Sequence, residues 1–228
     1  MKKELEKIFH FFTNERFEYR NSSYGQEGED LFLSKYFRGK RNGGFVDVGA
    51  HHPKRFSNTY KFYREGWRGV NIDAMPGSMT LFEKYRPEDI NLEVGVGAKE
   101  GEMPFFVFNE PALNTFSRQE ALLKNGMKNY RIIKERVVEI RPLSDILDEH
   151  WKLKSLDFMS VDVEGLDLEV LRSNNWELYR PTIVLVEDLE RKPLFEIAEN
   201  ELVAYMNSVG YFPIGRTYST LFFEKKDK

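Results

Sequence analysis

Acidic residues recur in this chain in one kind of setting: each follows a short apolar run and precedes a turn. Asp47 does so in GFVDVGAHHP, Asp73 in GVNIDAMPG, Asp162 and Glu164 in FMSVDVEG, and Glu187 with Asp188 in TIVLVEDLE. Carboxylates so placed can accept hydrogen bonds from a vicinal diol, take up a proton, or hold a hard cation through oxygen ligands. His51 and His52 stand directly after the first turn, and histidine titrates close enough to neutrality to act as a general base. A single acid at the end of a strand commonly caps a helix. Acids after several such runs point instead to a shared cleft.

A frame must bring these groups together, and the hydrophobic pattern supplies one. FVDV, Gly69 to Asp73, Ile90 to Val94, Leu156 to Val161 and Thr182 to Val186 read as short strands buried on both faces. Helical segments separate them: one through Arg64 that begins near Ser57 or Asn58 and stops at Gly66, then SMTLFEKYR, LSDILDEHW with Ser144 as its cap, DLEVLRSNNW, and PLFEIAENELVAYMNSVG. EMPFFVF (102–108) and ERVVEIR (135–141) read as an antiparallel pair, and YFPIGRT with STLFFEK as a closing hairpin. Strand and helix alternate as in a doubly wound, Rossmann-like α/β sheet, whose ligands bind beyond the carboxyl ends of the strands.

The pattern predicts a single domain over 1–228, with residues 1–38 as an N-terminal helical extension and 109–134 as an inserted, lid-like segment. Asn114, Thr115 and Phe116 of that insert are candidates to face a substrate. Leu5, Ile8, Phe9 and Phe12 recur at helical spacing, so the first helix either caps the domain or pairs subunits into a homo-oligomer. The composition, 41% hydrophobic with 14% aromatic residues over 228 positions, is ample for a large core. The absence of cysteine excludes disulfides and thiolate chemistry. A formal charge of −3 gives no global attraction to nucleic acid. No run approaches the roughly 18 apolar residues of a membrane span, and MKKELEKIFHFF lacks an apolar signal core. The expectation is a cytoplasmic protein whose partner is a small-molecule or glycan acceptor.

The glycine turn discriminates among cofactors. A dinucleotide site needs G-x-G-x-x-G against the pyrophosphate, whereas GAHHPKR offers one glycine, two histidines and a proline. A cofactor with ribose and adenine but no phosphate, such as S-adenosylmethionine, suits that turn better. Asp73, 26 positions after Asp47, then takes the place of the acid that binds ribose hydroxyls. A nucleotide-dependent oxidoreductase and an inactive cofactor-binding module are the alternatives.

FVDVGAH, IDAMPG, EVGVGAKEG, PLSDIL and FMSVDVEGLDLEVLRS, in that order, resemble the FkbM-type class I methyltransferases, and YGQEGED resembles the segment that precedes the core in a branch of that family. The resemblance covers roughly residues 24–190. It implies a mostly parallel seven-stranded sheet with an antiparallel C-terminal hairpin, S-adenosylmethionine as donor, and O-methylation of a sugar hydroxyl in a glycan or nucleotide-sugar precursor. Carried over, it places Asp47, Gly49 and Ala50 beside the methionine moiety, with Asp162 supporting that turn. It also places Asp73 on the ribose, Met75 and Val94 around adenine, and Gln26 and Ser57 at the methionine carboxylate and amine. Methyl transfer to a weakly acidic hydroxyl calls for help in removing the proton. His51, His52 and Glu164 are the candidate bases. Mg2+ held by Asp162, Glu164, Glu187 and Asp188 is the alternative device.

Overall fold

A computed structural model describes residues 21–226, and the amphipathic stretch containing Leu5, Ile8, Phe9 and Phe12 lies outside them. Within that range the chain runs α1 (Glu29–Tyr36), β1 (Gly44–Val48), α2 (Tyr60–Arg64), β2 (Arg68–Asp73), α3 (Met79–Tyr85), β3 (Ile90–Glu93), β4 (Gly95–Val96) and β5 (Gly101–Phe108). It continues through α4 (Arg118–Lys124), β6 (Ile132–Arg141), α5 (Leu143–His150), β7 (Phe158–Val161), α6 (Asp167–Arg172), β8 (Ile183–Glu187), α7 (Glu201–Ser208), β9 (Tyr211–Arg216) and β10 (Thr220–Lys225).

Seven strands form the main sheet in the order β3-β2-β1-β7-β8-β10-β9. All its pairings are parallel except those of β10, which runs antiparallel to both β8 and β9. This is a doubly wound, mostly parallel sheet, with the expected C-terminal hairpin. Its strand order reverses between β1 and β7, where such sheets open a crevice. A second sheet, β4-β6-β5, stands beside it. The strands β5 and β6 pair antiparallel, as EMPFFVF and ERVVEIR predict, with residues 109–131 between them.

Register aligns the acids. Val48 lies opposite Ile72 and Val161, and Val161 lies opposite Val186. The next residue on each strand is therefore Asp73, Gly49, Asp162 or Glu187, in one row across four neighbouring strands. Alternation of side chains along each strand sorts the core into two faces. Val46, Val48, Val70, Ile72, Met159, Val161, Val184 and Val186 pack on one. Phe45, Phe158, Ile183, Leu185 and Phe222 pack on the other with Leu33, Phe62 and Trp67. Phe158 is fully buried, with the rings of Phe37, Phe45, Phe62 and Trp67 around it. Truncating so enclosed an aromatic to alanine typically costs about 3–5 kcal/mol.

Two local expectations change. The segment after Pro193 is not one helix: a 3-10 turn over Leu194–Glu199 ends at Asn200, whose side chain accepts from Leu202 N at 2.9 Å and starts α7. Asparagine favours this N-cap role because its carbonyl satisfies an orphan amide. The cap of α5 also differs from Ser144. Pro142 is the N-cap, Ser173 Oγ accepts from Leu143 N at 3.0 Å, and the Ser173 carbonyl accepts from Ser144 N at 3.1 Å.

Candidate functional site

A cavity of about 640 Å3 opens at the carboxyl ends of β1, β2, β7 and β8 and is closed on the far side by the insert. That volume lies within the range of small-molecule sites. Its wall near β2 carries Asp73 and Met75, its apolar stretch includes Val94, Phe105, Phe116 and Leu166, and its other end holds Asp162, Glu164 and Glu187 with Gln26.

The turn after β1 explains the single glycine of GAHHP. A Cβ on Gly49 would fall 1.7 Å from the Asp162 carbonyl oxygen, and its φ is 81°, so only glycine fits where the turns after β1 and β7 meet. The amides of Gly49 and Ala50 both donate to the Ile72 carbonyl, at 2.9 and 3.0 Å. His51 N then donates to Asp73 Oδ2 at 2.8 Å, and Met75 N donates to Asp73 Oδ1 at 2.8 Å. Each carboxylate oxygen has a second acceptor site, so Asp73 stays competent for a pair of hydroxyls while its orientation is locked. Burial is the main cause that pushes its pKa up, and the two amides oppose it.

Both histidines line the cavity, and burial and then Arg55 lower the pKa of each. His51 adopts a left-handed φ of 53°. Burial first, and Arg55 second, push its pKa down to about 4. It is neutral at physiological pH and a weak proton acceptor. His52 Nδ1 accepts from the amides of Lys54 and Arg55, both at 3.0 Å. A neutral ring accepting at Nδ1 carries its proton on Nε2, so His52 presents a donor to its surroundings.

Asp162, Glu164 and Glu187 bring carboxylate oxygens within 4.8 Å of one another. Asp162 is exposed to solvent in the cavity, though protein atoms crowd around it. Burial, then its acidic neighbours, raise the pKa of Asp162 well above the ordinary value and that of Glu187 to about 11. Burial also raises Glu164, but Lys124 counteracts it. Lys124 Nζ bonds Glu164 Oε2 directly and lies 3.6 Å from Glu120 of its own helix. Asp167, behind this row, accepts from the amides of Val163 and Gly165 at 3.1 and 3.2 Å, and burial pushes its pKa up to about 7. The three clustered acids form a hard-oxygen donor set of the type Mg2+ takes. One of their oxygens already holds an ammonium group.

Four residues expected at the site are engaged elsewhere. Asp47 is buried and accepts from Thr59 Oγ1 at 2.6 Å, within a network in which Arg86 donates to Thr59 Oγ1 at 2.9 Å and to Asp89 Oδ2 at 2.8 Å. Ser57 is buried too, and its hydroxyl accepts from Tyr60 N at 3.0 Å, so it caps α2 rather than facing the cavity. Ala50 packs on Met79 and Phe82. Asp188 accepts from Asn200 Nδ2 at 3.1 Å and lies 3.8 Å from Arg216, apart from the acidic cluster.

The insert contributes more than its sequence suggests. Asn114 and Phe116 line the cavity, whereas Thr115 is buried and donates its hydroxyl to the Glu164 carbonyl at 2.7 Å. Arg55 and Glu110 join the two rims in an ion pair of 3.0 Å. Lys124, Arg55 and Glu110 carry no local signal, because charged residues on loops and helices are ordinarily solvated.

These residues fit S-adenosylmethionine. The locked carboxylate of Asp73 faces the cavity, and the apolar stretch from Met75 to Phe116 offers a slot for a flat base. At Gly95, in that slot, a Cβ would approach Phe116 Cζ to 2.6 Å, so the bare backbone sets its width.

Comparison with known proteins identifies the family. Among solved structures, a TehB-like S-adenosylmethionine-dependent methyltransferase from Corynebacterium glutamicum aligns over 99% of this chain and 100% of its own, with 11% identity and a TM-score of 0.43. An O-methyltransferase from Bacillus cereus in complex with S-adenosylhomocysteine aligns over 96% of this chain and 88% of its own, with 11% identity and a TM-score of 0.40. The chain is 31% identical over 118 residues to methyltransferase sdnD of Sordaria araneosa, an alignment covering 41% of this chain and 44% of that protein. The model of the methyltransferase FkbM domain matches residues 47–213, most of the chain. The protein belongs to the FkbM methyltransferase domain family.

Proposed function

We propose that the protein transfers a methyl group from S-adenosylmethionine to a hydroxyl of a neutral sugar, in a glycan or small glycoside. The observation that carries this reading is one cavity lined by a locked ribose-type acid, Asp73, by a carboxylate cluster, Asp162, Glu164 and Glu187, and by the apolar residues Met75, Val94, Phe105 and Phe116. When bound, the cofactor supplies an electrophilic methyl group on a positively charged sulfur. Asp73 would hold the ribose, and Met75 and Val94 would flank the base. Gln26, with the backbone of the Gly49 turn, borders the methionine end.

The acceptor hydroxyl then meets the acidic end. Methylation of that hydroxyl would release its proton, which a base of the protein would take up. His51 is too weakly basic for that work, and His52 directs an N–H outward. Glu164, whose Oε2 is held by Lys124, keeps Oε1 for the proton. The ring of Phe56, partly exposed at the cavity wall, lies under the Arg55 guanidinium at 4.2 Å.

Charge selects against a nucleotide-linked acceptor. Glu110, Asp162, Glu164 and Glu187 face the cavity, and its rim cation Arg55 is already paired with Glu110. Lys124 beside the cavity is likewise paired, with Glu164, so a diphosphate finds no unpaired cation among the described lining residues.

The test has two stages. Thermal shift with S-adenosylmethionine and with NAD(H) separates a methyltransferase from an oxidoreductase, and stabilisation by the former alone is expected. Methyl-labelled cofactor is then offered with neutral glycosides and with nucleotide sugars. Label in the neutral glycosides supports the reading; label confined to nucleotide sugars, or to nitrogen acceptors, overturns it.

A further inference from the structure

Glu164 is held at two points by a segment outside the main sheet. Its backbone is in the left-handed region at φ 54°, a strained conformation for a residue with a side chain that persists only where its surroundings hold it. Thr115 Oγ1 donates to its carbonyl at 2.7 Å, and the same hydroxyl accepts from Ser117 N at 2.8 Å, immediately before α4. Lys124, in the last turn of α4, bonds its carboxylate. Between these points α4 presses on Gly165: a Cβ there would lie 2.8 Å from Glu120 Cγ. Thr115 is tied in turn to β5 by paired backbone bonds with Phe106, at 2.9 and 3.2 Å. The insert thus grips both the main chain and the side chain of one residue at the end of β7.

We propose that Lys124 and Thr115 are positioning residues that together set the direction of Glu164, so that its Oε1 faces the acceptor hydroxyl. This rests on the methyltransferase reading above. The insert is then part of the catalytic frame as well as a wall of the cavity. Lys124 acts from behind Glu164, because its side chain is largely buried beside Glu120 and Glu164 and is not among the residues that line the cavity. Removing its ammonium group lets the side chain of Glu164 leave its place without removing any cavity-lining residue. Removing the Thr115 hydroxyl frees the strained turn by an independent route.

The test compares wild type with Lys124→Met, Lys124→Arg and Thr115→Val. Hydrogen–deuterium exchange of the amides at 163–166 reads the grip without cofactor or turnover; Lys124→Met and Thr115→Val are each expected to accelerate it tenfold or more, with the main-sheet strands unchanged. In turnover, kcat falls tenfold or more while the affinity for S-adenosylmethionine stays within twofold, and Lys124→Arg recovers most of the loss. Wild-type exchange at 163–166 together with wild-type kcat in both Lys124→Met and Thr115→Val overturns the proposal. If the wild type neither binds the cofactor nor transfers methyl, the methyltransferase reading fails, and the exchange measurement still decides whether the insert holds Glu164. Should Lys124→Met not fold, Thr115→Val and Lys124→Arg decide it by the same two readouts.

Discussion

The amide of His51 donates to Asp73 Oδ2 at 2.8 Å, which fastens the turn after β1 to the end of β2. This bond makes the acid of one strand end and the histidine turn of another a single unit. It also fixes which way Asp73 faces.

Asp73→Ala is therefore expected to weaken S-adenosylmethionine binding tenfold or more in calorimetry, about 1.4 kcal/mol. Asp73→Asn, which retains one oxygen for the backbone amides, should lose less. Equal affinity in wild type and Asp73→Ala would remove Asp73 from the cofactor site.

Glu187 supplies a prediction about pH. Its pKa is raised from 4.5 to about 11, mainly by burial and then by Asp162 and Glu164, so the folded protein keeps a proton that the unfolded chain releases above pH 4.5. Stability from this group is complete below that value and declines as pH rises toward 11. Glu187→Gln removes the dependence. Melting temperatures from pH 5 to 9 should show a gap in favour of the variant that widens with pH, and a constant gap would contradict the assignment.

Metal independence follows from Lys124. With its ammonium group on Glu164 Oε2, the acidic row already has a cation. Turnover is expected to persist in EDTA and not to rise with added Mg2+. Loss of activity in chelator, restored by Mg2+, would transfer the role of Lys124 to a metal ion.

Arg86 concerns the fold rather than the chemistry. It is fully buried, bonds Asp89 and Thr59, and compensates Asp47. Arg86→Met leaves buried carboxylates uncompensated, and breaking such a pair costs about 3–5 kcal/mol. Denaturant unfolding should show a loss of that size, with a value under 1 kcal/mol counting against the network.

Much of this is legible in the sequence because it is local. The apolar runs that end in Asp73, Asp162 and Glu187 locate β2, β7 and β8, since buried parallel strands have few other ways to read. What local pattern does not carry is direction. Asp47 and Asp73 occupy similar places in their strands, yet Asp47 turns into the body toward Thr59 while Asp73 faces the cavity. Ser57 and Ala50 look suited to a ligand until packing assigns them to a helix cap and to Met79 and Phe82. The grip of Lys124 on Glu164 joins residues 40 positions apart across two sheets, and no spacing rule anticipates it. Asn200, by contrast, is a recognisable cap inside a segment that otherwise reads as one helix.

The most direct measurement is a crystal structure with bound S-adenosylhomocysteine. The ribose hydroxyls are expected on Asp73, adenine between Met75 and Val94, and the sulfur directed toward Glu164. A ligand seated outside this cavity, or a ribose making no contact with Asp73, would contradict the proposed site.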